Sequence, residues 1–219
     1  MDGLFEDRLD AGRRLAERLA EYRDSEAHVL GLARGGVVVG YAVAETLHLP
    51  LHALVVRKLG APFNPELAIG AVSETRAFWL DEGVVAATGA THEYIQHEIA
   101  QQVAEARRQQ QAYAVGPPLE TVRGKTAIVV DDGIATGSSA LVGAMSAHDL
   151  GASGVIVAAP VASRQAVEML RQSASRVIAL VQPDPFWAVG IYYRNFDQVT
   201  DAEVIDCLKR ANSRQKAPR

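Results

Sequence analysis

The chain has 219 residues, of which 48% are hydrophobic, enough to bury the core of one domain with a small appendage. Its net charge of −4 argues against nucleic acid or an anionic membrane as a partner, because both are bound through clustered Lys and Arg. The single cysteine, Cys207, excludes an internal disulfide and fits a reducing compartment. With no signal-like start and no apolar run of membrane-spanning length, the sequence predicts a cytoplasmic protein.

The first 24 residues predict one amphipathic helix. Apolar residues recur among charged ones between Leu4 and Tyr22, at the spacing of a single helix face. We assign residues 1–24 to this N-terminal helix.

Residues 25–182 alternate between apolar runs and helical segments. Five runs predict strands: "HVLGLA", "LHALVVR", "KTAIVVDD", "GVIVAAP" and "RVIALV". Helical segments such as "VVVGYAVAETLHLP" and "SSALVGAMSAHDLG" follow the first and third of them. Strands that are apolar throughout and alternate with helices are typical of parallel sheets covered on both faces. The sequence therefore predicts an α/β fold with a doubly wound, mostly parallel, five-stranded sheet.

Two regions interrupt this alternation. "PELAIGAVSE" and "AFWLDEGV" predict a hairpin, and a long polar helix follows from Thr91 to Gln111, so that an arm is inserted at about residues 60–114. Residues 183–208 are rich in aromatics and proline and predict a small cap over one end of the sheet. The basic residues 209–219 predict a disordered tail.

The stretch "IVVDDGIATGSS" places two acids against a loop of glycines and hydroxyls. Asp131 and Asp132 end a strand, at the sheet edge where open α/β folds bind ligands. The loop has the backbone freedom, the hydroxyl donors and the following helix that hold one phosphate; its residues are Gly133, Ile134, Ala135, Thr136, Gly137 and Ser138. Carboxylates accept hydrogen bonds from hydroxyls and attract Mg²⁺, so a phosphate beside a vicinal diol, as in ribose 5-phosphate, fits both halves. The alternative, that the acids only cap the next helix, leaves the loop unexplained.

"VVDDGIATGSS" resembles the phosphoribosyl-pyrophosphate (PRPP) motif of type I phosphoribosyltransferases. The longer run "LARGGVVVGYAVAETLHLPLHALVVRKLGAPFNPELAIGAV" resembles a bacterial and archaeal group of predicted phosphoribosyltransferases whose acceptor is undefined. The resemblance implies a transferase that moves the phosphoribosyl group of PRPP to a small nitrogenous base, with pyrophosphate release, Mg²⁺ as cofactor and a homodimer. It assigns Asp131 and Asp132 to the ribose hydroxyls and the metal, and residues 133–138 to the 5-phosphate.

The same resemblance suggests where pyrophosphate binds. In the family, the first strand-to-helix turn binds it through N–H groups exposed by a peptide that is often cis, and "LARGG" matches that turn by position, which makes Arg34 and Gly35 candidates. Arg57 and Lys58 are predicted to end the second core strand, at the same edge as Asp131, and are catalytic candidates because an anion would relieve their repulsion. Packing glycines in "RGGVVVG" and a solvated cation pair are the alternatives.

The arm lies where these enzymes carry a mobile flap, although a rigid dimerisation arm is the alternative. Asn64, Glu66 and Ser73 are its candidate polar contacts. The segment "PFWAVGIYYRNF" resembles the hood of purine-salvage members, where an aromatic residue stacks on the base. Phe186 and Trp187 are therefore candidates for base binding, against the alternative that they belong to the core.

One position departs from the 6-oxopurine enzymes. Where they have an aspartate that serves the acceptor base, this chain has Ala135. A transferase with a different acceptor, a non-catalytic regulator that binds PRPP or a nucleotide, and, more weakly, a hydrolase on the same fold therefore stay open.

Overall fold

The computed structural model describes residues 3–213. The five predicted runs form one sheet in which every neighbouring pair is parallel, in the order β2-β1-β6-β7-β8. Its strands are β1 (His28–Leu32), β2 (Leu51–Leu54), β6 (Thr126–Val130), β7 (Gly154–Val161) and β8 (Arg176–Val181). All five residues of β1 are buried, since helices cover both faces of the sheet. The predicted α/β fold is confirmed.

Two groups of helices cover the two faces of the sheet. On one face lie α1 (Arg8–Arg18), α2 (Gly35–Leu47) and α7 (Asp201–Ser213), which share a core that includes Leu15, Val37 and Val204. On the other face lie α5 (Ser138–Asp149) and α6 (Arg164–Leu170). Within residues 3–213, no helix combines the length and apolar character that a membrane crossing requires.

The predicted N-terminal helix starts later than its apolar pattern suggests. Asp7 caps α1, because its side chain accepts a hydrogen bond from the Asp10 N–H at 2.8 Å. Phe5 lies before the cap, and its N–H donates to the Tyr192 carbonyl at 2.9 Å. Its ring packs on Tyr193, with the ring centres 5.4 Å apart. The start of the chain is therefore tied to the segment predicted to be the hood.

The arm begins earlier than predicted. The run "LHALVVR" is broken after β2, and the chain continues as β3 (Val56–Ala61), which pairs with β4 (Asn64–Ser73) in a separate antiparallel sheet with β5 (Phe78–Leu80). Arg57 and Lys58 therefore lie on β3 of the arm, and their prediction as the end of a core strand was wrong. The physical reason is that β4 supplies backbone partners from Val56 to Ala61, so the chain leaves the core sheet at Val55.

Helices α3 (Glu82–Thr88) and α4 (His92–Ala112) complete the arm. Thr91 caps α4 by accepting from the Tyr94 N–H at 3.2 Å, and Ile95 and Val103 pack against buried residues of the arm sheet. Ala71 and Trp79 of the arm sheet pack together with Val142 of α5, so the arm also packs against the core domain.

The last described helix overlaps the predicted tail. Helix α7 continues to Ser213, so residues 209–213 are helical rather than disordered. Residues 214–219 of the predicted tail lie outside the described residues.

Candidate functional site

The two acids follow β6 at the carboxyl edge of the sheet. The Asp132 N–H donates a hydrogen bond to the Asp131 carboxylate at 2.9 Å. Burial raises the pKa of Asp131 well above its ordinary value, and the adjacent charge of Asp132 raises it further. Burial also raises the pKa of Asp132, against the opposing charge of Arg8. An ionised pair here is stabilised by any ligand that brings positive charge or hydroxyl donors.

Arg8, which the sequence analysis did not identify, is the internal cation of this site. Its Nε donates to Asp132 Oδ2 at 2.8 Å, and the two side chains are only 11% and 17% exposed. Its guanidinium also donates to the Asp197 carbonyl at 2.9 Å and lies over the Phe196 ring, 3.9 Å from the ring centre. The two ionic partners are 124 residues apart in the chain, and no local pattern at the start of α1 signals the contact.

Tyr193 supports the same acid from the hood segment. Its hydroxyl donates to the Asp132 carbonyl at 2.5 Å, and its ring stacks on Phe196 with the centres 4.9 Å apart. The start of the chain and the hood thus hold Asp132 together, the first through its carboxylate and the second through its backbone.

The glycine and hydroxyl loop leads from the acids into α5. Gly137 has a φ of +90°, a conformation that glycine adopts without strain, and it precedes α5 as an N-cap residue without a side-chain hydrogen bond. The N–H groups of the first turn are consequently open to an anion. The Thr136 and Ser138 hydroxyl oxygens lie 3.2 Å apart at the same place.

Neighbouring elements hold this loop in position. The Ile134 N–H donates to the Val161 carbonyl at 2.9 Å, and the Ser163 hydroxyl donates to the Ala135 carbonyl at 2.6 Å. The loop forms a pocket of about 260 Å³, which we call the phosphate-loop pocket. It is lined by Lys58, Asp131 and residues 133–140.

The turn after β1 brings a second segment against the acids. The peptide between Ala33 and Arg34 is cis, as the family resemblance implies. A Cβ at Gly35 would lie 1.9 Å from the Asp132 carboxylate, so this close approach requires glycine. Arg34 Nη1 lies 4.0 Å from the carboxylate of Asp201.

A second pocket, of about 390 Å³, lies between this turn and the arm, and we call it the arm pocket. It is lined by Ala33, Arg34, Val56, Arg57, Lys58, Gly60, Pro65, Glu98, Gln102 and Gln109. Arg57 donates from Nε to Gln102 Oε1 of α4 at 2.7 Å. Because Lys58 lines both pockets, the two are adjacent. Of the two predicted cations, Lys58 therefore shares a pocket with Asp131, and Arg57 lies in the adjacent pocket, although both stand on an arm strand.

The predicted base-binding residues are not brought to these pockets. A third pocket, of about 350 Å³, is lined by Arg8, Arg34, Gly35, Phe196, Gln198 and Val199. Trp187 is 77% exposed, and the half-buried Phe186 packs on Tyr192 with the ring centres 5.9 Å apart. Neither lines any of the three pockets described here, so their base-binding role stays a prediction.

The three hairpin residues predicted to make polar contacts with a ligand differ in solvent exposure. Asn64 and Glu66 are exposed, whereas Ser73 is fully buried. The Ser73 hydroxyl lies 2.8 Å from that of Thr75, inside the turn between β4 and β5. Ser73 therefore stabilises the arm, and its prediction as a ligand contact was wrong.

Comparison with known proteins shows the family to which the fold belongs. Residues 5–195 match the family model described as a phosphoribosyl transferase domain. Two curated proteins from Mycobacterium tuberculosis, "Putative phosphoribosyl transferase MT0597" and "Putative phosphoribosyl transferase Rv0571c", are each 42% identical over 209 residues, which is 95% of this chain and 47% of their own length. This chain thus spans about half the length of these relatives. The crystal structure of TT1426 from Thermus thermophilus is 41% identical, covers 94% of this chain and 98% of its own, and superposes with a TM-score of 0.77.

Proposed function

This chain belongs to the phosphoribosyl transferase domain family, and we propose that it binds PRPP with Mg²⁺ and transfers the 5-phosphoribosyl group to a small nitrogenous base, releasing pyrophosphate. The observation that carries the proposal is the position of Lys58, which lines both the phosphate-loop pocket with Asp131 and the arm pocket with Arg34 and Arg57. PRPP has a phosphate at carbon 5, a pyrophosphate at carbon 1 and a diol-bearing ring between them. Two adjacent pockets with an acid beside them match this arrangement.

In this proposal the 5-phosphate lies in the phosphate-loop pocket. The uncapped first turn of α5 offers backbone N–H donors, and the hydroxyls of Thr136 and Ser138 add two more. Neutral donors of this kind hold a phosphate without adding charge to the site. The ribose hydroxyls then face the acids, whose carboxylate oxygens accept hydrogen bonds.

The acids also fit Mg²⁺. Mg²⁺ prefers oxygen ligands and is usually held by one or two carboxylates together with substrate oxygens, rather than by an all-protein cage. Asp131 and Asp132 supply such oxygens, and within residues 3–213 no group of three or more His, Cys, Asp or Glu side chains is arranged for a metal. When bound, the ion would offset the charge of the pyrophosphate leaving group.

The pyrophosphate would lie in the arm pocket. Arg34, Arg57 and Lys58 place three cations on its walls, against one carboxylate, Glu98. As the bond to carbon 1 of the ribose breaks, negative charge grows on pyrophosphate, and these cations stabilise it in the transition state. Their role is electrostatic, without a covalent intermediate on the protein.

The residue at position 135 favours a second function, that of a non-catalytic regulator. Ala135 is exposed in the loop and offers no carboxylate for the acceptor base. A non-catalytic regulator that binds PRPP or a nucleotide would keep the phosphate and diol contacts and would need no such group.

Calorimetric titration with PRPP, with and without Mg²⁺, tests both functions when the same cell is assayed for released pyrophosphate over a panel of nitrogenous bases. Saturable, Mg²⁺-dependent binding with pyrophosphate release for one base supports the transferase. Binding without release for any base supports the regulator. Absence of PRPP binding contradicts the transferase and the PRPP-binding regulator, and a parallel titration with nucleoside monophosphates tests the nucleotide-binding form. We also propose a homodimer, which multi-angle light scattering of the same sample tests directly.

A further inference from the structure

Helix α4 of the arm forms one wall of the arm pocket through three polar side chains. Glu98, Gln102 and Gln109 all line the pocket, opposite the cations of β3 and of the turn after β1. The sequence analysis predicted this helix only as a long polar segment. Its pocket-facing side therefore needs a separate explanation.

The strongest contact of this wall is with Arg57. Gln102 accepts from Arg57 Nε at 2.7 Å through its Oε1 and donates through its Nε2 to Glu98 Oε1 at 3.1 Å. Both polar atoms of the Gln102 side chain are thus used, which fixes the orientation of its amide. These two hydrogen bonds hold the guanidinium of Arg57 in place.

Glu98, which accepts the hydrogen bond from Gln102, also contacts the strand that carries Arg57. Its Oε1 also accepts from the Gly60 N–H of β3 at 3.2 Å, and the Tyr94 hydroxyl donates to the Gly60 carbonyl at 3.0 Å. Strand and helix are therefore cross-linked beside Arg57.

A second series of hydrogen bonds starts two helical turns later on the same helix. Gln109 Nε2 donates to the Tyr113 hydroxyl at 2.9 Å, and that hydroxyl donates to the Asp201 carboxylate at 2.5 Å. Asp201 lies 4.0 Å from Arg34, the other arginine of the arm pocket. The helix thus reaches both guanidinium groups, the second through a longer and weaker path.

We propose that Gln102 is a positioning residue that presents Arg57 to pyrophosphate. This inference rests on the proposed function of the arm pocket.

The residue type at position 102 has a physical reason. An amide oxygen holds the Arg57 guanidinium without cancelling its charge, whereas a carboxylate in direct contact would neutralise Arg57 and repel the ligand. A guanidinium held before binding also avoids the entropy cost of being ordered by the ligand.

The test compares two ligands on one variant. Gln102→Met keeps the length and the helix propensity of the side chain but removes both hydrogen bonds. Gln101→Met, on an exposed position of the same helix, is the matched control. Titration with Mg²⁺-pyrophosphate reports the arm pocket, and titration with ribose 5-phosphate reports the phosphate-loop pocket.

We expect Gln102→Met to weaken pyrophosphate binding about tenfold, with ribose 5-phosphate affinity unchanged and with no effect from Gln101→Met. Unchanged pyrophosphate affinity would overturn the inference, and so would an equal loss for both ligands, because that would make the helix a general structural support. If the unaltered chain binds ribose 5-phosphate but no pyrophosphate, the proposed function itself fails, and the inference fails with it.

Discussion

At the carboxyl edge of the sheet, Asp131 and Asp132 lie side by side, and Arg8 contacts the second of them. At the amino edge, His28 and His52 stack on each other and share a hydrogen bond of 2.8 Å. Both pairs are largely buried and both consist of titratable groups. Burial raises the pKa of both acids, and it lowers that of His52 to about 4, with the charge of His28 as a second cause.

The difference lies in what completes each pair. The two imidazoles are neutral near pH 7 and share one hydrogen bond, so this edge carries no charge that a ligand must offset. The two carboxylates repel, and the open helix end and cations beside them point to a ligand that completes the site. Substitutions at the carboxyl edge should therefore change ligand binding more than stability, and substitutions at the amino edge should do the reverse.

The largest effect is expected for Asp131→Asn. This change removes a carboxylate that lines the phosphate-loop pocket and leaves the Arg8 ion pair with Asp132 in place. We expect PRPP affinity to fall about 10- to 100-fold, because hydrogen bonds to a charged group are lost. The thermal midpoint should not fall, since a neutral amide replaces one of two adjacent buried carboxylates. Asp149→Asn, on an exposed residue, is the control for calorimetry and thermal unfolding. Unchanged PRPP affinity in the Asp131 variant would contradict the role of the carboxyl edge in ligand binding.

The amino edge should show its dependence on pH in stability. The unfolded chain binds a proton at His52 near the ordinary pKa of 6.5, but the folded chain does so only near 4, so the free energy of unfolding should decrease as the pH falls through this window. The full loss from this pKa difference is about 3 kcal/mol once the pH lies below the window. His52→Gln should flatten the pH dependence of urea unfolding between pH 6.5 and 4 and should leave PRPP affinity at neutral pH unchanged. The exposed His97→Gln is the control, and equal slopes for all three proteins would show that the histidine pair is not the cause.

The two edges also differ in how far the sequence predicted them. The strand that ends in Asp131 and the loop after it are one continuous segment, so a local pattern was sufficient to predict both. Arg57 and Lys58 were predicted on the wrong element, because an apolar run such as "LHALVVR" carries no signal of the break between two sheets. Their role in binding stays a prediction.

Side-chain partners that are distant in the chain were not predicted. Arg8 contacts an acid 124 residues away, and Gln102 contacts an arginine 45 residues away. Such contacts depend on how α1 and α4 pack against the sheets, and a single sequence does not contain that information in any local spacing. The pairing of His52 with His28 likewise depends on the register of β1 and β2, which no local pattern indicates.

Asn212 offers a smaller test at the amino edge. It is 6% exposed, and its Nδ2 donates to the Leu51 carbonyl, at the start of β2, and to the Leu208 carbonyl, both at 2.9 Å. Asn212→Ala removes the side-chain partner of the Leu51 N–H and carbonyl, and we expect a loss of about 2 kcal/mol in the free energy of unfolding. PRPP affinity should be unchanged. Ser213→Ala, on the exposed neighbour, serves as control in urea unfolding, and a loss of affinity without a loss of stability would reverse the roles assigned to the two edges.

The smallest effect is expected for Ser163. This residue tests which part of the carboxyl edge binds ligand and which part only stabilises the fold. It stands at the carboxyl edge, yet its hydroxyl acts within the chain, donating to the Ala135 carbonyl of the phosphate loop at 2.6 Å and accepting from the Ala166 N–H as the cap of α6. Ser163→Ala should therefore cost about 1 kcal/mol of stability as a lost helix cap and, by loosening the loop, weaken ribose 5-phosphate binding about threefold. Ser163→Thr keeps the hydroxyl and should restore both. If Ser163→Ala lowers stability and leaves affinity intact, the loop is held in position by its backbone bonds to β7 alone, and the boundary between the binding and the structural parts of this edge lies before Ser163.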